Sequence, residues 1–399
     1  MSRPPFAPLS LPSRRRILAG LGLLAGAPLL PRAAAAQDAG PLRVPSSAGP
    51  ISVETVTGGL ENPWGLAFLP DGRALVTERP GRLRIVATSG TLSAPVAGVP
   101  PVFAQGQGGL LDVALGPDFA DSGHVYLSYA EPREGISGTS VARGRLVEEA
   151  GNARLDGVEV IFRQEPAVSG SSHYGSRLVF GRDGTLFVTL GDRFSQRDKA
   201  QDLSNHLGKI VRIGADGSGP KDNPFVRMPG ARREIWSYGH RNVQGAALDP
   251  ATGRLWTVEH GARGGDELNH PEAGHNYGWP TISYGVDYSG AKIGEGTQKD
   301  GLEQPVHYWD PSIAPSGLVF YTGEAFPAWK GDLFLGALAG MKLVRLRLDA
   351  DKNAVIQEES LLETLGVRIR DVAQGTDGAL YVLTDETSDA RLLRLSPAA

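Results

Sequence analysis

One unit recurs six times along the 399 residues, and it restricts the fold more than any other feature. Each copy is a short apolar strand, then a tight turn built on Asp or Gly, then a second strand rich in β-branched and aromatic residues. The first strands fall at 65–68, 112–115, 177–180, 245–248, 317–321 and 371–373. Their partners fall at 74–78, 124–129, 185–190, 254–259, 332–335 and 379–384. From Asp71 in the first turn to Asp377 in the last, the interval averages about 61 residues, too regular for chance and too long for a helical repeat. The first copy continues through Arg79-Pro80-Gly81 into a third alternating strand at 82–86, so each copy is a β-meander. A lone meander cannot bury both faces. Six of them are expected to close radially into an all-β fold, a six-bladed β-propeller with four-stranded antiparallel blades. A β-sandwich or two smaller β domains are the alternatives, although no interdomain linker is visible. Ring closure should pair an early strand at 51–57 with the final strand at 391–395, which removes an exposed edge. Segments 214–229 and 287–304 read as long loops, and such loops are often functional.

Residues 1–36 precede this pattern and carry five arginines, no acid and an uncharged apolar stretch over 17–30. Fourteen residues are too few to span a bilayer. Arg14-Arg15-Arg16 before that stretch, with Ala34-Ala35-Ala36 ahead of Gln37, reads as a twin-arginine-type signal peptide and predicts periplasmic export. An uncleaved anchor or a basic leader is the other reading. Its removal takes five positive charges from a chain of net charge −4, leaving residues 37–399 as one acidic domain of charge −9. Nucleic acid is therefore not an expected partner, since its binding needs clustered Lys and Arg. No later stretch is apolar enough for membrane insertion after cleavage. The absence of cysteine excludes disulfides, thiolate nucleophiles, Cys-ligated metals and covalent c-type haem.

Four polar clusters sit at strand ends, where a propeller gathers its loops around the axis. In Ser171-Ser172-His173-Tyr174-Gly175-Ser176-Arg177, His173 suits a general base, or else a structural histidine bonded to a loop carbonyl. In Tyr238-Gly239-His240-Arg241-Asn242-Val243-Gln244, Arg241 offers a planar fork to a carboxylate or oxyanion with Asn242 beside it, or else ties two blades together. The stretch from Glu259 through Gly261-Ala262, Gly265-Asp266-Glu267 and Asn269 to Asn276-Tyr277-Gly278-Trp279-Pro280 combines glycines with hard oxygen donors. That favours Ca²⁺, although it is not an EF-hand loop, and plain surface acidity is the competing reading. In Arg368-Ile369-Arg370-Asp371, strand alternation points both guanidinium groups the same way, toward a polyanionic ligand or toward solvent and acidic partners.

Taken in order, these clusters resemble the soluble periplasmic aldose sugar dehydrogenases that use pyrroloquinoline quinone (PQQ), the glucose/sorbosone dehydrogenase family. Gly106-Gln107-Gly108-Gly109-Leu110-Leu111, Gly191-Asp192 and Tyr308-Trp309-Asp310-Pro311 complete the match from about residue 55 to 390. The resemblance implies a quinoprotein that oxidises the C1 hydroxyl of an aldose to the lactone. His173 would take the hydroxyl proton while hydride passes to PQQ. Arg241, with Asn242, would stabilise charge at the quinone edge, and Gln107 would bond that edge and the substrate. Arg368 and Arg370 would hold the cofactor's carboxylates. The carbonyls of Gly261 and Ala262 would ligate the Ca²⁺ that also binds PQQ. Glu267 and the Tyr277 carbonyl would ligate a second Ca²⁺, and Trp309 would line the substrate mouth.

Two departures from the best-known glucose dehydrogenase branch stand out. Ser172 replaces an aspartate before the base, so the extra carboxylate orienting the base is missing, and Ala339 replaces a PQQ-binding lysine. No cytochrome domain is attached, so electrons would leave to an external acceptor. Two other functions share the propeller expectation. A calcium-dependent lactonase would need an axial metal held by carboxylates from several blades. A non-catalytic glycan-binding propeller would need an aromatic-rich face, and aromatics are only 7% of residues.

Overall fold

The computed structural model describes residues 41–149 and 151–398, and the expected signal peptide lies outside the described residues. Six antiparallel sheets follow one another along the chain. Their innermost strands are Pro63–Phe68, Leu110–Leu115, Leu178–Phe180, Val243–Leu248, Pro315–Phe320 and Ile369–Gln374. Each touches the next, and the last touches the first, so the ring is closed. The six meanders expected from the repeat are thus the six blades of a β-propeller. Four blades have four strands. The first has three, and the closing blade has five, because Ile51–Leu60 pairs with Ala390–Pro397 and then with Leu42–Val44. Val53 faces Leu395 in that seam, the pairing expected for ring closure.

Alternation along each second strand builds the core. In Leu333–Ala337, Leu333 and Leu335 point back into an apolar cluster with Trp256 and Val258 of the preceding blade. Phe334 points forward into one with Val372 and Leu380 of the next. Every blade junction has such a cluster, the smallest being Phe187, Ile210, Ala246 and Leu255 between the third and fourth blades. Each buried large aliphatic or aromatic side chain contributes about 1.5–3 kcal/mol, so the junctions hold the ring.

Around the axis the equivalent position of each innermost strand carries Gly65, Asp112, Arg177, Gly245, Gly317 and Asp371. Arg177 Nη1 lies 3.0 Å from Asp112 Oδ1 and 3.1 Å from Asp371 Oδ2, and its Nε donates to Gln244 O. The two carboxylates also accept the backbone N–H of Leu178 and Leu66 from neighbouring blades. Glycine is required beside them. A Cβ on Gly65 would sit 2.7 Å from Asp112 Oδ1, and one on Gly317 would overlap Asp371 Oδ1 at 1.7 Å.

Candidate active site

Apart from Trp309, the residues singled out by sequence lie on the face where the innermost strands begin and the second strands end. His173 lies in the loop leading into Leu178–Phe180 and is 5% exposed. Its φ of 53° is left-handed, a conformation that side-chain-bearing residues hold only under external constraint. The constraints are specific. Its backbone N–H donates to Gln107 Oε1 at 2.7 Å, and its Nδ1 lies 2.7 Å from Asp192 Oδ1. Asp192 Oδ2 accepts the Trp279 indole N–H at 2.8 Å. Burial holds the imidazole below its ordinary pKa against the pull of Asp192, and the Arg241 and Arg193 charges add to the lowering. The ring is therefore neutral near pH 7, with Nδ1–H turned to Asp192 and Nε2 left as the proton acceptor.

Position 172 carries no carboxylate, as the sequence shows, yet the base is still oriented by one, Asp192, from the turn after the neighbouring strand Leu186–Thr189.

Arg241, 4% exposed, leads into Val243–Leu248. Its backbone N–H donates to Glu259 Oε2 at 2.7 Å. Its guanidinium donates to the His260 and Gly261 carbonyls and lies over the Trp279 ring, 5.2 Å from the centroid. Its Nε is buried with no partner among the described residues. Asn242 stands beside it, and its Oδ1 accepts the Gly175 N–H at 3.2 Å, which fastens the His173 loop. Gln244 then connects that loop to the closing blade, with Nε2 near Gly175 O at 3.4 Å and Oε1 accepting from Arg370 at 3.1 Å.

Arg368 and Arg370 do point one way, and both reach the same carboxylate. Arg368 Nε donates to Asp385 Oδ2 at 2.8 Å and Arg370 Nε to Oδ1 at 3.0 Å. Burial alone would raise Asp385, but the two cations outweigh it and hold the carboxyl at about 2. Each arginine keeps donors beyond that contact, and Arg79 adds a third nearby cation.

In the glycine-rich cluster the two adjacent acids separate. Asp266 is spent on structure, accepting the N–H of Gly261, Ile313 and Ala314 and the Ser312 hydroxyl. Glu267, half-buried, faces the buried Glu259. Burial and that like charge push its carboxyl up to about 8. Asn269 Nδ2 donates to Glu267 Oε2 at 3.0 Å, while its Oδ1 is buried with no partner among the described residues. A cavity of about 10 Å³, the size of one ion or water, is lined by Gly261, Gly265, Glu259, Glu267 and Tyr277.

A larger cavity of about 340 Å³ opens beside the base, lined by His173, Asp192, Arg241 and Ala262 with the aromatic groups of Phe194, Trp279 and Tyr288. Of the two long loops, the later one reaches it through Asp287, Tyr288 and Ile293. The earlier one is tied to Arg212 by Asp222 and Asn223 and lines no part of it. Trp309 is not at the mouth. It is 6% exposed, packs with Trp256, Leu268 and Leu335, and donates its indole N–H to Glu358 at 3.0 Å. Strand pairing with Asp266 turns its side chain into the blade junction, leaving Tyr308 exposed. Ala339 lies in a hairpin turn with its N–H on Ile313 O, and Lys342 donates to Ser360, so neither takes the place of the absent lysine.

Asp192, Phe194, Tyr288 and Asp385 had no role assigned from sequence. Asp192 and Asp385 follow second strands, as do Arg79 and Gly261, so that register position was the signal that could have found them.

Residues 60–394 match the model of the Glucose / Sorbosone dehydrogenase family. The chain belongs to that family. Its members are oxidoreductases acting on CH–OH groups, and so is this chain. It is 48% identical over 351 residues to the aldose sugar dehydrogenase YliI of Escherichia coli K12, covering 87% of this chain and 93% of that one. Among solved structures, a glucose dehydrogenase with 51% identity superposes with a TM-score of 0.83, covering 87% of this chain and 99% of the other. The PQQ-bound aldose sugar dehydrogenase of Streptomyces coelicolor has 30% identity and a TM-score of 0.72, covering 89% of this chain and all of the other. The glucose/sorbosone dehydrogenase family thus contains close relatives that share this arrangement of blades over nearly the whole described chain.

Proposed function

We propose that this glucose/sorbosone dehydrogenase family member is a periplasmic quinoprotein that oxidises the C1 hydroxyl of aldose sugars to lactones. The observation that carries the reading is the neutral His173, oriented by Asp192, at the wall of a cavity that also presents Arg241. His173 Nε2 accepts the proton of the sugar C1 hydroxyl. Asp192 fixes the ring's tautomer and stabilises the imidazolium that results. Arg241 stabilises the negative charge that develops on the acceptor side. Phe194, Trp279 and Tyr288 give the pyranose apolar surface and keep water from the reacting carbon.

The residues present fit PQQ, a flat tricarboxylate. Arg241 carries a buried unpartnered Nε, and Arg368 and Arg370 converge on one carboxylate as they would on a ligand's. Gln107, which holds the His173 N–H through Oε1, would offer its Nε2 to the cofactor, and Gln244 is bonded to Arg370. When bound, PQQ supplies the two-electron acceptor for the hydride, and an external acceptor then takes the electrons. Ca²⁺ also fits. Glu267, raised beside Glu259, lines a cation-sized cavity together with Tyr277, whose carbonyl would be a further ligand, and Asn269 donates to Glu267 from beside it. A second Ca²⁺ at the Gly261 and Ala262 carbonyls would require Arg241 to give up its bond to Gly261 O. A lactonase is less well supported, because the axial carboxylates Asp112 and Asp371 are both engaged by Arg177. Export rests on the paired arginines and apolar stretch of residues 14–30, and no described helix is long and apolar enough to cross a membrane.

The test is dye reduction by the purified protein with a panel of aldoses, before and after PQQ and Ca²⁺ are added. Turnover that appears only with both is expected. A folded protein that binds no PQQ and oxidises no aldose would rule the reading out.

A further inference from the structure

We propose that Arg193 is a positioning residue for the base, clamping the peptide bond that joins Ser172 to His173. The inference deepens the reading of His173 as the base and rests on it. The loop from residue 164 to 177 contains no strand, so its backbone has to be held by other groups. Both ends of the Ser172–His173 peptide are held. Arg193 Nε donates to Ser172 O at 2.9 Å, and the His173 N–H donates to Gln107 Oε1 at 2.7 Å. A flip of that peptide plane would break both bonds and release His173 from its left-handed backbone.

The rest of the guanidinium is used the same way. Nη2 donates to Gly170 O at 2.8 Å in the same loop, and Nη1 to Ser137 O at 2.7 Å in the preceding blade. The charge lies 3.9 Å from the centre of the Tyr174 ring, whose hydroxyl bonds Ser137 Oγ at 2.8 Å. Arg193 is 1% exposed and forms no salt bridge among the described residues, so its burial is compensated by carbonyls, the Ser137 hydroxyl and one aromatic face. Burying a charge this way is costly unless every donor is satisfied, which ties its presence to this one loop geometry. Its own φ is 56° and that of Phe194 is 65°. Consecutive left-handed residues are strained and persist where neighbouring structure enforces them. The turn after Leu186–Thr189 therefore grips the base three times, with Asp192 on its ring, Arg193 on its backbone and Phe194 against its ring edge at 5.2 Å.

The experiment compares wild type, Arg193→Met and Arg193→Lys. Hydrogen exchange at the His173 and Gly175 amides is followed without cofactor, and kcat, aldose KM and PQQ titration are measured with it. In Arg193→Met, exchange at both amides should accelerate at least tenfold, and kcat should fall at least tenfold, with KM and the PQQ titration within twofold of wild type. Arg193→Lys, which keeps the charge but cannot serve all three carbonyls, should fall between the two. A folded Arg193→Met with unchanged exchange and kcat would overturn the proposal. So would equal losses of kcat and PQQ affinity, which would indicate a general structural role. If Arg193→Met does not fold, Arg193→Lys decides: wild-type exchange and kcat in it would overturn the proposal. If no form oxidises an aldose, the functional reading fails, and the exchange data alone decide whether Arg193 anchors the loop.

Discussion

His173 Nδ1 and Asp192 Oδ1 lie 2.7 Å apart although their residues come from two different strand ends, one ahead of an innermost strand and one behind its partner. That contact sets the tautomer of the base and leaves Nε2 toward the cavity. It also explains how the chain manages with serine at position 172.

Replacing Asp192 with Asn should lower kcat by about 100-fold or more, the usual worth of an oriented acid–base group, while PQQ still binds. Asp192 raises the affinity of His173 for protons, so its removal should also move the acidic limb of kcat/KM to lower pH. In wild type that limb lies below pH 6.5, with a plateau through neutrality. A pH–rate profile for both proteins checks this; an unmoved limb with full kcat would take Asp192 out of the mechanism.

The stability of the cofactor-free protein should carry the signature of Asp385. Its carboxyl is held at about 2 when folded, below the usual value near 4. The stabilisation, on the order of 2 kcal/mol, is fully present above about pH 4 and is lost as pH falls toward 2. The gap in unfolding free energy between wild type and Asp385→Asn should therefore shrink between pH 5 and pH 2.5 in denaturant titrations. A gap independent of pH would mean that the arginine pair does not stabilise the charged form.

Gly317→Ala should destabilise the ring by about 3 kcal/mol or more, because its Cβ would overlap Asp371 in a packed axis. Gly331→Ala is a comparison in which the surroundings are open and only a left-handed φ of 83° is strained, whereas Gly317 has no left-handed φ and meets only the overlap. Thermal melts of the two report overlap and backbone strain separately; a Gly317→Ala melt unchanged from wild type would show that overlap at the axis contributes nothing.

Calcium should raise the melting temperature of wild type but not of Glu267→Gln. The raised carboxyl of Glu267 beside Glu259 has no cation among the described residues to offset it. A Ca²⁺-dependent shift of equal size in both proteins would place the ion elsewhere.

The repeat interval, the strand alternation and the turn residues determined the propeller, because a meander has only one way to bury both faces and local pattern reports which residues must be buried. The same pattern located His173, Arg241, Arg368 and Arg370 at strand ends. Their partners were another matter. Asp192, Asp385 and Gln244 acquire their roles from contacts between elements 15 to 126 residues apart in sequence. Trp309 reads as a mouth residue in its motif, yet one register choice in its strand turns it into the core. Asn242 reads as a ligand donor, and the fold adds a second role by giving its oxygen to a loop from the neighbouring blade. Sequence determined which chemistry this chain carries and in which layer of the ring, since those follow from residue type and period. Only the tertiary structure decided which donor meets which acceptor, because that depends on bringing strand ends within hydrogen-bond reach, in one blade for His173 and Asp192 and across two for Gln244 and Arg370.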